Sequence, residues 1–136
     1  MALKITLKPH EKLIIGGAVL ANGSTKSEFI VENSVPILRE KDIMSLQQAD
    51  SPCKQIYFAI QLMYVDEKNM TDHHKTYWEL VKDVVEAAPS RQPILHEISE
   101  NILHERYYQA LKLTRKLIDY EKEVINRVRC TAIGSI

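Results

Sequence analysis

Apolar and polar residues alternate near the start of the chain. In the segment LKITL (3–7), leucine and isoleucine alternate with lysine and threonine, which is typical of a β-strand with one buried face. The dipeptide Asn22-Gly23 predicts a type I′ hairpin turn, because both central positions of that turn need a positive φ. The same patterns predict four further short strands, over 12–15, 18–21, 28–32 and 37–40.

The pattern becomes helical after residue 50. Ser51 followed by Pro52 predicts a helix start, since serine caps a helix and proline is tolerated at the first helical position. The segment 55–65 is apolar nearly all round, which predicts a buried helix, although its composition alone leaves a strand open.

Two further helical regions follow. The first is capped by Thr71 or Asp72 and ends near Ala88, ahead of a proline-containing boundary. The second runs over 94–128 without glycine or proline, and a break at 103–105 would divide it into two helices. Its apolar side forms a heptad-like seam made of Leu103, Tyr107, Ala110, Thr114, Leu117, Glu121, Val124 and Val128.

These elements together predict an α+β fold. A small antiparallel β module is expected over 1–48, and a helical module of three to four helices over 49–136, the two packing as one compact unit. We expect the seam to pack on the chain's own helices, and a homodimer seam is the alternative.

The charge balance limits the functions that this chain can have. Its 136 residues include 18 Lys+Arg and 18 Asp+Glu, so the net charge is zero, whereas nonspecific nucleic-acid-binding proteins are usually basic. Any nucleic-acid binding must therefore use a local basic patch. The chain shows no apolar run long enough to span a membrane and no secretion signal pattern, and Cys53 and Cys130 are expected to be free thiols, so a cytoplasmic location is expected.

The residues with reactive side chains form no known catalytic or metal-binding motif. The histidines lack ligand spacing, and the chain contains neither a CxxC nor an HExxH motif. The serines lie in no nucleophile elbow, and the pair Gly16-Gly17 is too sparse for a phosphate-binding loop. The sequence therefore predicts no catalytic residues, no metal and no cofactor.

Basic residues of two strands are the candidate binding residues. Arg39 and Lys41 share one face of the predicted fifth strand by period two, and Lys4 and Lys8 share a face of the first. If these strands lie side by side, the four cations form one stripe. Arginine suits RNA, because its planar fork can bind a phosphate or a guanine edge with two hydrogen bonds.

Each of these candidates has a structural alternative. Arg39 could pair with Glu28, Glu32 or another local carboxylate instead of RNA. Tyr107 lies on the seam and is expected to pack inward, whereas Tyr108 is the better candidate for stacking on a base. A solvated face is expected for the basic cluster of the last helical region, which comprises Lys112, Arg115, Lys116, Lys122, Arg127 and Arg129.

Three segments of the chain closely resemble the FlbT family of flagellum biosynthesis regulators. They are LKPHEKLIIGGAVLANG, VENSVPILREKDIMSLQQADSPCKQIYFAIQLMYVD and YYQALKLTRKLIDYEKEVI. The resemblance implies a post-transcriptional repressor that binds the 5′ untranslated region of flagellin mRNA and promotes its degradation, coupling expression to flagellum assembly. Some members of the family support flagellin expression instead. The alternative is an adaptor that binds flagellin or a flagellin-associated regulator and acts on the mRNA indirectly.

The first 44 residues also resemble the small RNA-binding regulators of the CsrA type. HEKLIIGG (10–17) looks like their first turn, and LREKDI (38–43) looks like their later arginine-containing element. By this resemblance, Arg39 contacts RNA with support from Lys4 and Lys8. CsrA-type regulators have an arginine pair where this chain has lysines among apolar residues, and they are intertwined dimers, which leaves dimerisation of this chain open.

Overall fold

The N-terminal part of the protein consists of short antiparallel strands. A computed structural model describes the backbone of residues 2–134 and the side chains of residues 2–125. The strands are β1 (Leu3–Leu7), β2 (Lys12–Ile15), β3 (Ala18–Ala21), β4 (Ser27–Val31) and β5 (Ile37–Arg39). The first three have the predicted bounds. β4 lies one residue earlier than predicted, and β5 ends at Arg39 because Glu40–Asp42 forms a 3-10 turn.

The five strands form two sheets. β1 pairs with β4, and a separate sheet has the order β3-β2-β5, with all pairings antiparallel. Gly16 and Gly17 connect β2 to β3 with φ values of 56° and 88°, which is the conformation a type I′ turn requires. The prediction of a type I′ turn at Asn22-Gly23 is wrong, since neither residue has a positive φ.

Asn22 contributes side-chain hydrogen bonds rather than the predicted turn. Its amide nitrogen donates to the backbone oxygens of Lys8 at 2.8 Å and Thr25 at 3.0 Å, and Ser27 Oγ donates to its Oδ1 at 2.9 Å. These bonds join the end of β1 to the loop before β4. Asn22 thus connects the end of β1 with the start of β4 through side-chain hydrogen bonds rather than through a turn.

Two hydrophobic cores lie on opposite faces of the three-stranded sheet. Ile5, Leu7 and Leu13 form the small core between the two sheets. Ile14 and Leu38 are opposite each other on β2 and β5, and both belong to the larger core of the helices. Because successive side chains of a strand point to opposite faces, the central sheet contributes to both cores.

Four helices follow the strands. They are α1 (Pro52–Val65), α2 (Met70–Ala87), α3 (Gln92–Leu103) and α4 (Tyr107–Gly134). The predicted buried helix is confirmed in α1, and Ser51 caps it by accepting a hydrogen bond from the Lys54 amide. α2 starts at Met70, slightly earlier than predicted. The predicted break after Leu103 is confirmed, with Glu105 at a φ of 60°.

The seam of α4 packs within the chain along its first half. Ala110, Thr114 and Leu117 are almost fully buried, and α4 contacts α1 and α3. The expected packing on the chain's own helices is thereby confirmed for these positions, whereas Leu103 is 65% exposed and lies outside the seam. Val128, Arg127, Arg129 and Cys130 lie outside the described side chains. A homodimer stays a prediction.

The predicted α+β class is confirmed, with the strands first and the helices after them. Among the described residues, none of the helices combines the length and the hydropathy that crossing a membrane requires.

Candidate nucleic-acid interface

Arg39 lies where the two sheets meet. It is opposite Leu13 on β2, so its side chain is on the face of the sheet that covers the small core. Its Nη2 donates to the backbone oxygen of Thr6 on β1 at 2.7 Å and lies 3.8 Å from a carboxylate oxygen of Glu11. The side chain nevertheless remains 43% exposed. One nitrogen of the guanidinium is thus held by the protein while the side chain remains partly exposed.

Glu11 is positioned by the turn that follows β1. Its carboxylate accepts a hydrogen bond from the Lys8 amide at 2.9 Å, and its own amide donates to the Lys8 oxygen at 3.1 Å. His10 has a φ of 63°, and its amide donates a hydrogen bond to the backbone oxygen of Gly23. The carboxylate partner of Arg39 is therefore Glu11, rather than Glu28 or Glu32.

Four basic residues line an open depression of about 840 Å3 next to Arg39. We call it the cationic depression, and its basic residues are Lys8, Lys26, Arg39 and Lys41. Its acidic residues are Glu11 and Glu40, of which Glu11 already pairs with Arg39. The depression thus carries two more cationic than acidic groups in a chain with no net charge.

Three of the four residues predicted from sequence line the depression, and Lys4 does not. Lys4 lies on β1 and its ammonium is 3.6 Å from Glu28 on the paired strand β4. Because β1 and β5 belong to different sheets, the stripe expected from side-by-side strands does not form. Lys41 also shares no strand face with Arg39, since β5 has already ended, yet the 3-10 turn brings it to the same depression.

Sequence reasoning missed Lys26. This lysine precedes β4, and the pairing of Leu7 with Ser27 brings it close to Lys8. The loop containing it shows no local periodicity, so only the non-local pairing of β1 with β4 reveals its position.

Sequence reasoning also missed a contact network around Arg115, for which a solvated face was expected. From α4, its Nη2 lies 2.8 Å from a carboxylate oxygen of Asp42 and donates to the Lys41 backbone oxygen at 2.9 Å. The hydroxyl of Tyr57 donates to the backbone oxygen of Asp42 at 2.6 Å. Burial alone would lower the pKa of Arg115, but its hydrogen bond with Tyr57 and the nearby Asp42 raise it. The network fixes the turn that carries Lys41.

The described histidine and cysteine side chains offer no second candidate site. Within the part of the chain that the structure describes, no three His, Cys, Asp or Glu side chains form a group that could hold a metal ion. His73 Nε2 lies 3.1 Å from an Asp66 carboxylate oxygen. Burial and the neighbouring carboxylate of Glu121 raise the pKa of the Cys53 thiol to about 12, so the reactive thiolate is scarce at neutral pH.

The fold and the cationic depression define a small α+β protein that presents a basic surface where its two sheets meet. Residues 3–125 match the family described as "Flagellar protein FlbT", so the chain belongs to the FlbT family. Its members are named regulators rather than enzymes, which confirms the prediction that this chain is not an enzyme.

Curated relatives match nearly the whole chain. It is 44% identical to the "Probable flagellum biosynthesis repressor protein FlbT 1" of Bradyrhizobium diazoefficiens, covering 96% of this chain and 90% of the relative. It is 36% identical to the corresponding protein of Rhodopseudomonas palustris, covering 93% of this chain and 100% of the relative. The "Flagellum biosynthesis repressor protein FlbT" of Caulobacter vibrioides is also 36% identical, over 94% of this chain and 92% of the relative. No solved structure matches the chain.

Proposed function

We propose that this protein is a cytoplasmic repressor of flagellum biosynthesis that binds the 5′ untranslated region of flagellin mRNA. Binding promotes degradation of the mRNA and couples flagellin synthesis to flagellum assembly. The names of the curated relatives support the repressor role. The observation that carries RNA binding is the cationic depression, because it concentrates basic residues on a protein whose net charge is zero.

The geometry of Arg39 suits contact with a phosphate or a base edge. Its Nη2 is held by Thr6 and Glu11, which orients the guanidinium and reduces the entropy lost on binding. Lys8, Lys26 and Lys41 surround it as point charges for neighbouring phosphates. In this arrangement Arg39 reads the RNA and the lysines position it.

The proposal predicts that Arg39→Ala weakens binding to a flagellin leader RNA by roughly 1–3 kcal/mol. The measurement is a filter-binding titration with the purified leader transcript over a series of salt concentrations. Lys8→Ala/Lys26→Ala should reduce the salt slope by about 0.7 for each single-strand phosphate that the variant no longer neutralises. This double variant leaves the side-chain contacts of Arg39 to Thr6 and Glu11 in place, so it separates binding from stability.

Two matched variants serve as controls. Lys75→Ala changes an exposed lysine of α2 that does not line the depression and should leave affinity unchanged. Lys4→Ala should have a smaller effect than Arg39→Ala, because Lys4 is paired with Glu28 outside the depression. If Arg39→Ala binds the leader with wild-type affinity, Arg39 is not part of the interface.

A second candidate function is that of an adaptor for flagellin or a flagellin-associated regulator. A largely apolar cavity of about 370 Å3 favours it, lying between the start of α1, the end of α2 and α4. Val124 and Ile125 border this cavity and are 47% and 43% exposed. Exposed apolar surface of this kind is typical of protein-interaction sites.

Calorimetry with purified components separates the two functions. The repressor proposal expects saturable binding of the leader RNA at moderate salt without any other protein. The adaptor function predicts no saturable binding of the leader RNA. It also predicts binding of flagellin, which Val124→Asp should abolish.

A further inference from the structure

A second groove adjoins the cationic depression. It has a volume of about 630 Å3 and lies between the segment that follows β5 and helix α4, and we call it the α4 groove. Lys41 lines both the depression and the groove, so the two meet at this residue. Gln47, Arg115 and Lys122 are among the other residues of the groove.

Basic and aromatic residues form a stripe along α4, of which Arg115 and Lys122 line the groove while Tyr108 and Lys112 lie nearer the start of the helix. Tyr108, Lys112, Arg115 and Lys122 are spaced by four, three and seven residues, which places them on one side of the helix. The stripe is about 21 Å long at the helical rise per residue. Lys112 Nζ lies 4.8 Å from the ring centroid of Tyr108, and Tyr108 is 38% exposed. An exposed aromatic ring next to a cation is suited to stacking on a base.

The acidic residues of the groove are mostly neutralised within the protein. Asp42 pairs with Arg115 at 2.8 Å, and Asp50 pairs with Lys54 at 3.1 Å. Asp119 also lines the groove. The ammonium groups of Lys41 and Lys122 have no carboxylate within 4.0 Å among the described side chains, so cations exceed unpaired carboxylates by one here.

We propose that the α4 groove, together with Tyr108 and Lys112 on the same side of α4, is a second RNA subsite. It binds the unpaired bases of a single-stranded segment whose backbone enters over the cationic depression. The inference rests on the RNA-binding function proposed above and specifies the substrate as single-stranded. Tyr108 stacks on one base, and Lys112 and Lys122 contact phosphates. The Gln47 amide can both donate to and accept from a base edge.

Single-stranded RNA fits this surface better than a duplex does. A ring can stack only on a base that is not already stacked in a helix, and sequence-specific recognition of RNA mostly uses such bases. A chain with no net charge also gains little general attraction to a duplex backbone. Stacking together with a few placed cations provides affinity without an overall basic surface.

Titration of the flagellin leader RNA with α4 variants tests the subsite. Tyr108→Ala should raise the dissociation constant about tenfold or more, whereas Tyr108→Phe, which keeps the ring, should stay near wild type. Lys112→Ala/Lys122→Ala should weaken binding and reduce the salt slope by about 1.4, because two phosphates are no longer neutralised. Lys82→Ala, at an exposed position of α2, is the control and should bind normally.

The same titrations distinguish failure of the subsite from failure of the proposed function. If Arg39→Ala weakens binding while the α4 variants bind like wild type, the subsite is refuted and RNA binding at the depression stands. If wild-type protein shows no saturable binding to the leader, both are refuted. Annealing the leader to its complement should abolish the difference between Tyr108→Ala and wild type, and persistence of that difference on the duplex contradicts single-stranded recognition.

Discussion

At the residue scale, Gly17 shows how closely the β module approaches the helices. Its φ of 88° is one that other residues adopt only with strain, and a Cβ placed there would lie 3.0 Å from the backbone oxygen of Val65 at the end of α1. The turn between β2 and β3 therefore packs directly on the helical module. Glycine is needed here both for backbone conformation and for space.

Gly17→Ala is expected to lower the free energy of unfolding by about 1–3 kcal/mol, since both the strain and the contact with Val65 oppose the new methyl group. Chemical denaturation followed by circular dichroism measures the change. Gly23→Ala is the matched control, because Gly23 has no positive φ and its Cβ would meet no atom within 4 Å. Equal stability of the two variants would contradict the close contact between Gly17 and the backbone of Val65.

Arg39 combines a structural and a proposed functional role. Its hydrogen bond to Thr6 joins the two sheets, while the partly exposed side chain lines the cationic depression. The two roles are compatible, because a guanidinium has five donor N–H groups in a planar fork. Weaker RNA binding by Arg39→Ala must therefore be compared with the stability of that variant, which is why the double lysine variant is informative.

At the element scale, α1 and α4 are connected at the start of α1. The Ser51 hydroxyl donates to Glu121 Oε1, and the Cys53 amide donates to Glu121 Oε2 at 3.3 Å. A carboxylate from α4 thus faces the positive end of the α1 dipole, next to free amide groups. This contact orients α4 relative to α1, and with it the wall of the α4 groove.

Glu121→Gln should lower the free energy of unfolding by about 0.5–2 kcal/mol, because the amide keeps the shape of the side chain but removes its charge from the helix N-terminus. Urea denaturation at neutral pH and low salt measures this decrease, and added salt should reduce it. Glu123→Gln, two residues away and exposed, removes the same charge without the contact and should change stability little. A similar decrease in both variants would point to general charge effects.

Local patterns predicted the elements well and their pairing poorly. The alternation in β1 and the Ser51-Pro52 start of α1 appear in the structure because such signals depend on neighbouring residues. The pairing of β1 with β4, which encloses the β2–β3 hairpin, depends on contacts between distant segments. For the same reason the sequence indicated Arg39, Lys41 and Lys8 but not Lys26 or the network of Arg115.

At the scale of the whole molecule, the two predicted modules share a core. Leu38 lies on β5 yet is fully buried in the helical core, and its partner Ile14 on β2 belongs to the same core. The Tyr64 hydroxyl of α1 further accepts a hydrogen bond from the Ile37 amide at 3.2 Å. These contacts support the proposal that 1–48 and 49–136 form one cooperative unit. The proposed RNA surface, which uses residues of both modules, would depend on that unit staying intact.

Leu38→Ala tests this proposal, because it removes a β-module side chain from the helical core. We expect destabilisation by about 2–5 kcal/mol and one unfolding transition, seen at the same denaturant concentration by Trp78 fluorescence in α2 and by hydrogen exchange of the strands. Leu20→Ala on β3 is the control and should lower the free energy of unfolding less, since Leu20 is 42% exposed. If the strands of Leu38→Ala unfold while Trp78 keeps its native signal, the modules are independent domains. The proposed RNA surface would then lie on two parts that can move relative to each other.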